Sequence, residues 1–411
     1  MIQGQAIAER PLTRVEDAEA IIAANVRPAA VRVVDLLEAD GMVLAQDVVA
    51  GGDLPPFARA AVDGYAVRAS DIIPASAAAP IRLEVIDHVA AGQSPPGIVK
   101  AGSAMGISTG APIPPGADAV LRMEDVIIGE GWIEVSGPVP PGADVALAGE
   151  DIKAGSPALA AGTALRPAEI GLLAALGQTR VAVIGRPRVA IISTGDELVD
   201  AAAAPGPAQI RNSSAHALWA YVRREGGDPG LRGIARDDRQ ELASKLLEAH
   251  GNDLILTTGG VSVGTRDLVA EALEHLGAEI LFWRVAMRPG TPVLVARWGE
   301  GLVIGLSGNP AAAMTAFEVL VRPALALMAG RPFRREMLSV TIDSGVKGSG
   351  VRRYLRARLY KQDEVWRAAV AFSQRPGVLS SMTLANGYVI IPEGSRGLQP
   401  GSTVQAFRID S

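Results

Sequence analysis

The chain has 411 residues, 48% hydrophobic and 20% charged, with a net charge of −5 and no cysteine. At roughly 100 to 200 residues per domain, that length predicts two to four domains with real cores, and aromatics at 4% leave the packing to aliphatic side chains. The mild acidity excludes a general basic field for nucleic acid or an anionic membrane surface, and the lack of cysteine excludes disulfides, Cys-ligated zinc, iron–sulfur clusters and a thiolate nucleophile.

The first residues carry Glu9, Glu16 and Asp17 and do not read as a secretory signal. No apolar run reaches the ~18 residues of a membrane span, so a cytoplasmic location is the expectation. Residues 11–40 show apolar positions at helical spacing, and a helical opening segment is predicted with Val15, Ala18, Ile22, Val31, Val34 and Leu37 as its buried faces. Together with 148–177, residues 1–49 are expected to form a helical, linking domain. From 50 to 147 short Val/Ile-rich runs broken by Gly and Pro, at 81–85, 119–123 and 132–135, predict a mostly β domain.

From 178 to 329 apolar strands at 189–194, 254–258 and 302–306 alternate with amphipathic helices, so an α/β domain with a parallel-type sheet is predicted. One helix places Ala215, Leu218, Trp219 and Val222 on one face, and a second does the same with Val269, Ala272, Leu273 and Leu276. A third opens with Asn309 as N-cap and Pro310 in the first turn. From 330 to 411 alternation returns, clearest in Tyr354, Arg356 and Arg358 against Leu355, Ala357 and Leu359, and a small β-barrel-like domain is expected. Residues 201–207 read as an exposed loop.

Loops at the carboxyl ends of parallel strands converge on one edge, where ligands bind. Three qualify here: 193–197 with Thr194 and Gly195, 257–264 with Gly259, Gly260, Ser262 and Gly264, and Ser307-Gly308-Asn309-Pro310. Small residues, hydroxyls and glycine let backbone N–H groups approach a phosphate, although glycine there also suits a plain tight turn. Neither a P-loop nor a dinucleotide fingerprint is present. Asp196, Glu197 and Asp267 are hard oxygen donors of the kind that share Mg²⁺ with a substrate phosphate; capping a helix or a turn is the other use of such residues. Asp237 and Asp238 form a second acidic pair, suited to a solvated loop. Arg288-Pro289-Gly290 presents a guanidinium suited to a phosphate or molybdate-like oxyanion, or to a surface turn. His88, His216, His250 and His275 are scattered and make no Ser/His/Asp arrangement legible.

Taken together, these stretches resemble the molybdopterin molybdenumtransferase (molybdenum insertase) family, which includes bacterial enzymes and the E domain of gephyrin. The likeness is carried by Pro56-Phe57, 62–67, 108–112, 149–152, 193–198, 259–264 with Asp267, 288–290, 308–310, 353–358, Ser380-Ser381 and Ala385-Asn386. It implies four domains, an elongated homodimer, and a cleft built from the α/β domain of one subunit and the β domain of the other. The implied reaction inserts molybdate into the dithiolene of adenylylated molybdopterin with Mg²⁺-dependent loss of AMP, the ligand supplying the sulfur. The same likeness implies that Asp63, Thr109, Glu150 and Asp151 face the site from one subunit, and that Asp196, Glu197, Asp237, Asp267 and Arg288 lie in the α/β pocket. Thr194, Gly195, Gly259, Gly260, Ser262, Gly264, Pro289, Gly290, Ser307, Gly308, Asn309 and Pro310 would hold the cofactor, and Asp196, Glu197 and Asp267 the metal.

The chain departs from the family pattern at Ala60-Ala61-Val62, at Thr291 in place of lysine, at Gly106 and Ala146 in place of arginine, and at Ser307 in place of proline. A non-catalytic paralogue that binds the pterin or a nucleotide is the alternative these losses suggest.

Overall fold

The computed structural model describes residues 11–261, 268–370 and 372–409. The chain forms two compact units, one of Met1–Val34, Gly41–Ala45 and Ala182–Ser411, the other of Asp35–Asp40 and Gln46–Val181.

Helix α1 spans Val15–Asn25, with Glu16 and Asp17 favourably placed in its first turn. It buries Val15, Ala18 and Ile22 as the periodicity requires. The expected helix does not continue: Val31–Asp35 is a strand, and Val31 and Leu37 are 57% and 84% exposed. Pro28 is the cause, since its ring denies a helical hydrogen bond and pushes Arg27 toward extended backbone.

The unit containing residues 46–181 is built on a six-stranded sheet. Its strands are β1 Gly64–Val67, β2 Ile81–Val89, β3 Ser103–Ile107, β4 Ala119–Arg122, β5 Val126–Gly129 and β6 Trp132–Val135, in the order β4-β1-β3-β2-β6-β5. Only β2 and β3 pair in parallel. Tyr65, Leu83, Ala104 and Ile133 form one core, and Ala66, Val89, Met105 and Val120 a second, so the central strands are covered on both faces.

In the other unit, β7 Arg188–Thr194, β8 Asp228–Ala235, β9 Leu254–Thr258, β10 Glu279–Trp283, β11 Leu294–Trp298 and β12 Gly301–Leu306 form a sheet in the order β8-β7-β9-β12-β11-β10. The three predicted strands are parallel, joined by β8 as a fourth parallel strand that the sequence reading did not name, whereas β10 and β11 are antiparallel at one edge. A two-residue turn with Gly299 at φ +61° joins β11 to β12, and so short a connection can only reverse the chain. Val189 and Ile191 enter one core while Ala190 and Ile192 enter the other, the pattern of a sheet covered on both faces.

Helix α2, Ser213–Arg224, buries Ala215, Leu218 and Val222, but Trp219 is 40% exposed with its indole N–H donated to the Pro229 carbonyl. Helix α3 is Arg239–Ala249, and α4, Leu268–His275, buries Val269, Ala272 and Leu273. Helix α5 Pro310–Ala316, a π-turn Phe317–Val321 and α6 Arg322–Met328 run on as one rod. Contrary to the sequence expectation, Pro310–Met328 is apolar and long enough to cross a membrane by length and composition. It is mostly buried, and it carries Glu318 paired with Arg322, so within this unit it is a core helix.

The C-terminal strands β13 Met337–Ile342, β14 Arg352–Gln362, β15 Val365–Ala369, β16 Gly387–Ile391 and β17 Thr403–Arg408 close into a five-stranded barrel, β14-β15-β13-β17-β16 and back to β14. Leu355, Ala357, Leu359, Val389 and Ile391 fill it. The alternation along β14 does not separate core from solvent: Tyr354 packs with the helices of the α/β domain, Arg356 is fully buried, and of the three only Arg358 is exposed. The barrel has two apolar coats because its outer wall is itself an internal interface of the unit.

Candidate functional site

The three strand-end loops of the α/β sheet meet. Gly259 has φ +91°, and a Cβ there would run into the Thr194 carbonyl oxygen. Gly260 has φ +65°, and its Cβ would lie 2.9 Å from Thr194 Cγ2 and from Val269 Cγ2. A Cβ on Gly308 would lie 3.5 Å from Gly259 Cα, and the Gly259 N–H donates to the Leu306 carbonyl at 3.1 Å. Thr194, Gly195, Gly259, Gly260, Ser307 and Gly308 are thus gathered at one sheet edge, and glycine is required both for backbone sign and for closeness.

Acidic side chains rim that edge. The Thr194 hydroxyl donates to Asp237 Oδ1 at 3.4 Å, and the Asp237 N–H donates to Asp196 Oδ1 at 3.2 Å. The carboxylate of Glu197 folds back over Gly195, where any Cβ would overlap it. Asp196, Glu197 and Asp237 are all exposed. Among the described residues no three His, Asp or Glu side chains converge as a metal cage. Asp196 and Glu197 offer the oxygens that Mg²⁺ prefers, and such a cation draws further ligands from water and phosphate. Asp267, Ser262 and Gly264 lie outside the described residues.

Beside the third loop lies a pocket of about 580 Å³, within the range of small-molecule sites. Ser307, Asn309, Pro289 and Gly290 line it together with Arg288, Arg353 and Lys347, and among the described residues its lining contains no Asp or Glu. The two-residue strand Met287–Arg288 pairs in parallel with β14 and sets Arg288 opposite Arg353. Burial, and then the Arg288 charge, lower the pKa of Arg353, so the two like charges are held together with no counter-charge among the described residues. Arg353 Nη1 donates to the Lys347 carbonyl at 2.6 Å, which ties the short strand Val346–Ser349 to the pocket wall. The Thr291 hydroxyl is spent on the Met287 carbonyl at 2.5 Å.

Sequence reasoning missed Lys347, Arg353, Gln374 and Arg356. Gln374 lines the pocket and clasps Arg356, accepting its N–H at 3.0 Å and donating to its carbonyl at 2.9 Å. Arg356 Nη2 donates to the carbonyls of Ser373 and Arg375, while Nε and Nη1 find no partner among the described residues. A fully buried guanidinium in that state is rare. The visible signal was a run of arginines along a strand otherwise rich in core residues.

In the other unit, Asp63 Oδ1 accepts both the Thr109 N–H at 2.7 Å and the Thr109 hydroxyl at 3.1 Å. These two bonds, the backbone one first, hold the Asp63 carboxyl below its ordinary range. Glu150 Oε2 instead accepts the Leu147 N–H at 2.9 Å, and Asp151 donates its N–H to the Leu54 carbonyl. The predicted site residues therefore fall into two sets, one in each compact unit.

Residues 13–177 match the family profile of the MoeA N-terminal region (domain I and II), 190–327 a "Probable molybdopterin binding domain", and 344–408 the MoeA C-terminal region (domain IV). The chain is 36% identical over 373 residues to a molybdopterin molybdenumtransferase of Bacillus subtilis, covering 89% of this chain and 87% of that one. It is 35% identical over 374 residues to one from Staphylococcus aureus, covering 90% and 89%. Two crystal structures of molybdopterin biosynthesis MoeA protein from Pyrococcus horikoshii superpose with TM-scores of 0.84 and 0.80 at 32% identity, each covering 97% of this chain, and 99% and 100% of those chains.

Proposed function

The chain belongs to the molybdopterin molybdenumtransferase family, and from that premise we propose that this transferase inserts molybdate into the dithiolene of adenylylated molybdopterin with Mg²⁺-dependent release of AMP. The observation that carries the reading is the pocket with Arg288, Arg353 and Lys347 in its wall and no acid among its described lining residues. Molybdate is a tetrahedral dianion, and fork-shaped guanidinium donors beside a lysine match it in charge and in geometry. Arg356, with two nitrogens unpaired, adds a buried positive charge behind Gln374.

The gathered turns at Thr194-Gly195, Gly259-Gly260 and Ser307-Gly308-Asn309-Pro310 receive the phosphate end of the pterin. Asp196 and Glu197, with Asp267, would hold Mg²⁺, which when bound supplies a Lewis acid for the departing phosphate charge. Asp237 orients the Thr194 hydroxyl and, through its own N–H, the Asp196 carboxylate. With no cysteine in the chain, the dithiolene of the substrate is the sulfur donor for the metal. Asp63, Thr109 and Glu150 complete the cleft from the second copy of a homodimer.

The test is turnover: purified full chain, adenylylated molybdopterin, molybdate and Mg²⁺ should release AMP in proportion to cofactor formed. Asp267→Asn should abolish AMP release at an unchanged melting temperature. Pterin bound tightly with no AMP released under Mg²⁺ or Mn²⁺ would refute the proposed mechanism.

A further inference from the structure

We propose that His88 is a positioning residue of the Asp63–Thr109 turn, supplying from strand β2 the polar side chain that Gly106 on β3 lacks. This rests on the reading above only in taking the turn as part of the substrate cleft.

The pairing of β2 with β3 slips between Val85 and His88: Val85 lies opposite Ala104, yet His88, three residues on, lies opposite Gly106, two residues on. One extra residue on β2 inverts the facing of everything after it, and bulges of this kind re-aim side chains next to sites. The imidazole that results lies over Gly106, where a Cβ would stand 2.8 Å from His88 Cδ2. The backbone of Gly106 is not in the left-handed region, so glycine is needed there for room and not for conformation.

From that seat His88 Nε2 is 3.3 Å from the Ser108 hydroxyl, beside the Asp63 carboxylate that in turn holds Thr109 by two hydrogen bonds. The turn offers a ligand no backbone donors of its own. The N–H groups of Ser108, Gly110 and Ala111 are committed to the carbonyls of Val89, Ala60 and Ser108, and that of Thr109 to Asp63. What reaches outward is a set of side chains in which, among the described residues, His88 is the group able to carry positive charge next to the Asp63 carboxylate. An anionic substrate approaching Thr109 meets net repulsion without it.

The experiment compares wild type, His88→Ala, and His88→Ala with Gly106→Arg, which returns a cation from the opposite strand into the vacated space. Steady-state AMP release by the full chain should fall about fivefold or more in kcat/KM for His88→Ala, the loss expected for one hydrogen bond of about 1 kcal/mol. The double variant should recover most of it. His88→Ala within about twofold of wild type, or a double variant as slow as the single one while both melt like wild type, overturns the proposal. If the wild type itself releases no AMP, the functional reading fails on its own. The positioning role is then decided by amide exchange at Thr109: acceleration in His88→Ala that the double variant reverses supports it, and equal protection in all three overturns it.

Discussion

Replacing Gly259 by alanine tests whether the strand-end loops are held as closely as a phosphate cradle needs. The new Cβ would press on the Thr194 carbonyl oxygen and lie 3.3 Å from Thr194 Cγ2, in a residue held at φ +91°. The neighbour on the hard side is backbone, so the β7 loop, the β9 loop or both must move. An alanine at positive φ costs about 1 to 3 kcal/mol, and overpacking a closed contact roughly 1 to 3 more. The expected loss of about 2 to 6 kcal/mol lowers the melting temperature by about 4 to 24 °C, at roughly 2 to 4 °C per kcal/mol for a unit of this size. Gly308→Ala is the control, because its Cβ meets Gly259 Cα at an ordinary 3.5 Å; it should melt close to wild type. The assay is differential scanning calorimetry of both variants with titration of pyrophosphate as a phosphate probe. If Gly259→Ala melts within about a degree of wild type and binds the probe equally, the loops are not held as described.

Arg353→Ala should weaken molybdate binding by roughly ten- to a hundredfold, the value of a charged hydrogen bond, and flatten its salt dependence; calorimetric titration at two ionic strengths reads both, and an unchanged Kd removes Arg353 from the pocket's function. Glu318, 1% exposed in the π-turn, is pushed up to about 7 by burial, against the pull of Arg322, whose guanidinium it shares with Glu225. Arg322 itself stays high because of those carboxylates; the two trends agree if one guanidinium serves two acids and Glu318 keeps the proton. The folded state then binds the proton more tightly than the unfolded one, so stability falls as pH rises from about 4.5 to about 7, by on the order of 3 kcal/mol from this group. Glu318→Gln should remove that slope in urea unfolding run from pH 5 to 8, and parallel slopes in the two proteins would refute the assignment.

Helix α1, three of the four parallel strands and the three glycine-bearing loops were legible in the sequence, because each is set by local pattern: apolar spacing, strand-to-helix order, and glycine where backbone must approach backbone. Pro28 was legible too, yet the valines after it suggested a continued helix, and only the folded chain shows them on an exposed strand. Reading β14 as half polar failed for a different reason. A period of two shows which residues share a face, but not whether that face meets water or the helices of a neighbouring domain. The buried Arg356 and the pairing of Arg288 with Arg353 both come from that hidden interface. His88 illustrates the same limit, since nothing local to residue 88 announces a bulge, and the vacancy it fills is a missing side chain eighteen positions later, at Gly106. By itself the sequence determined the family, the fold class and the order of the loops, all properties of neighbours along the chain. Tertiary structure decided which charges stand together without counter-charges, because that depends on pairings between residues far apart in sequence.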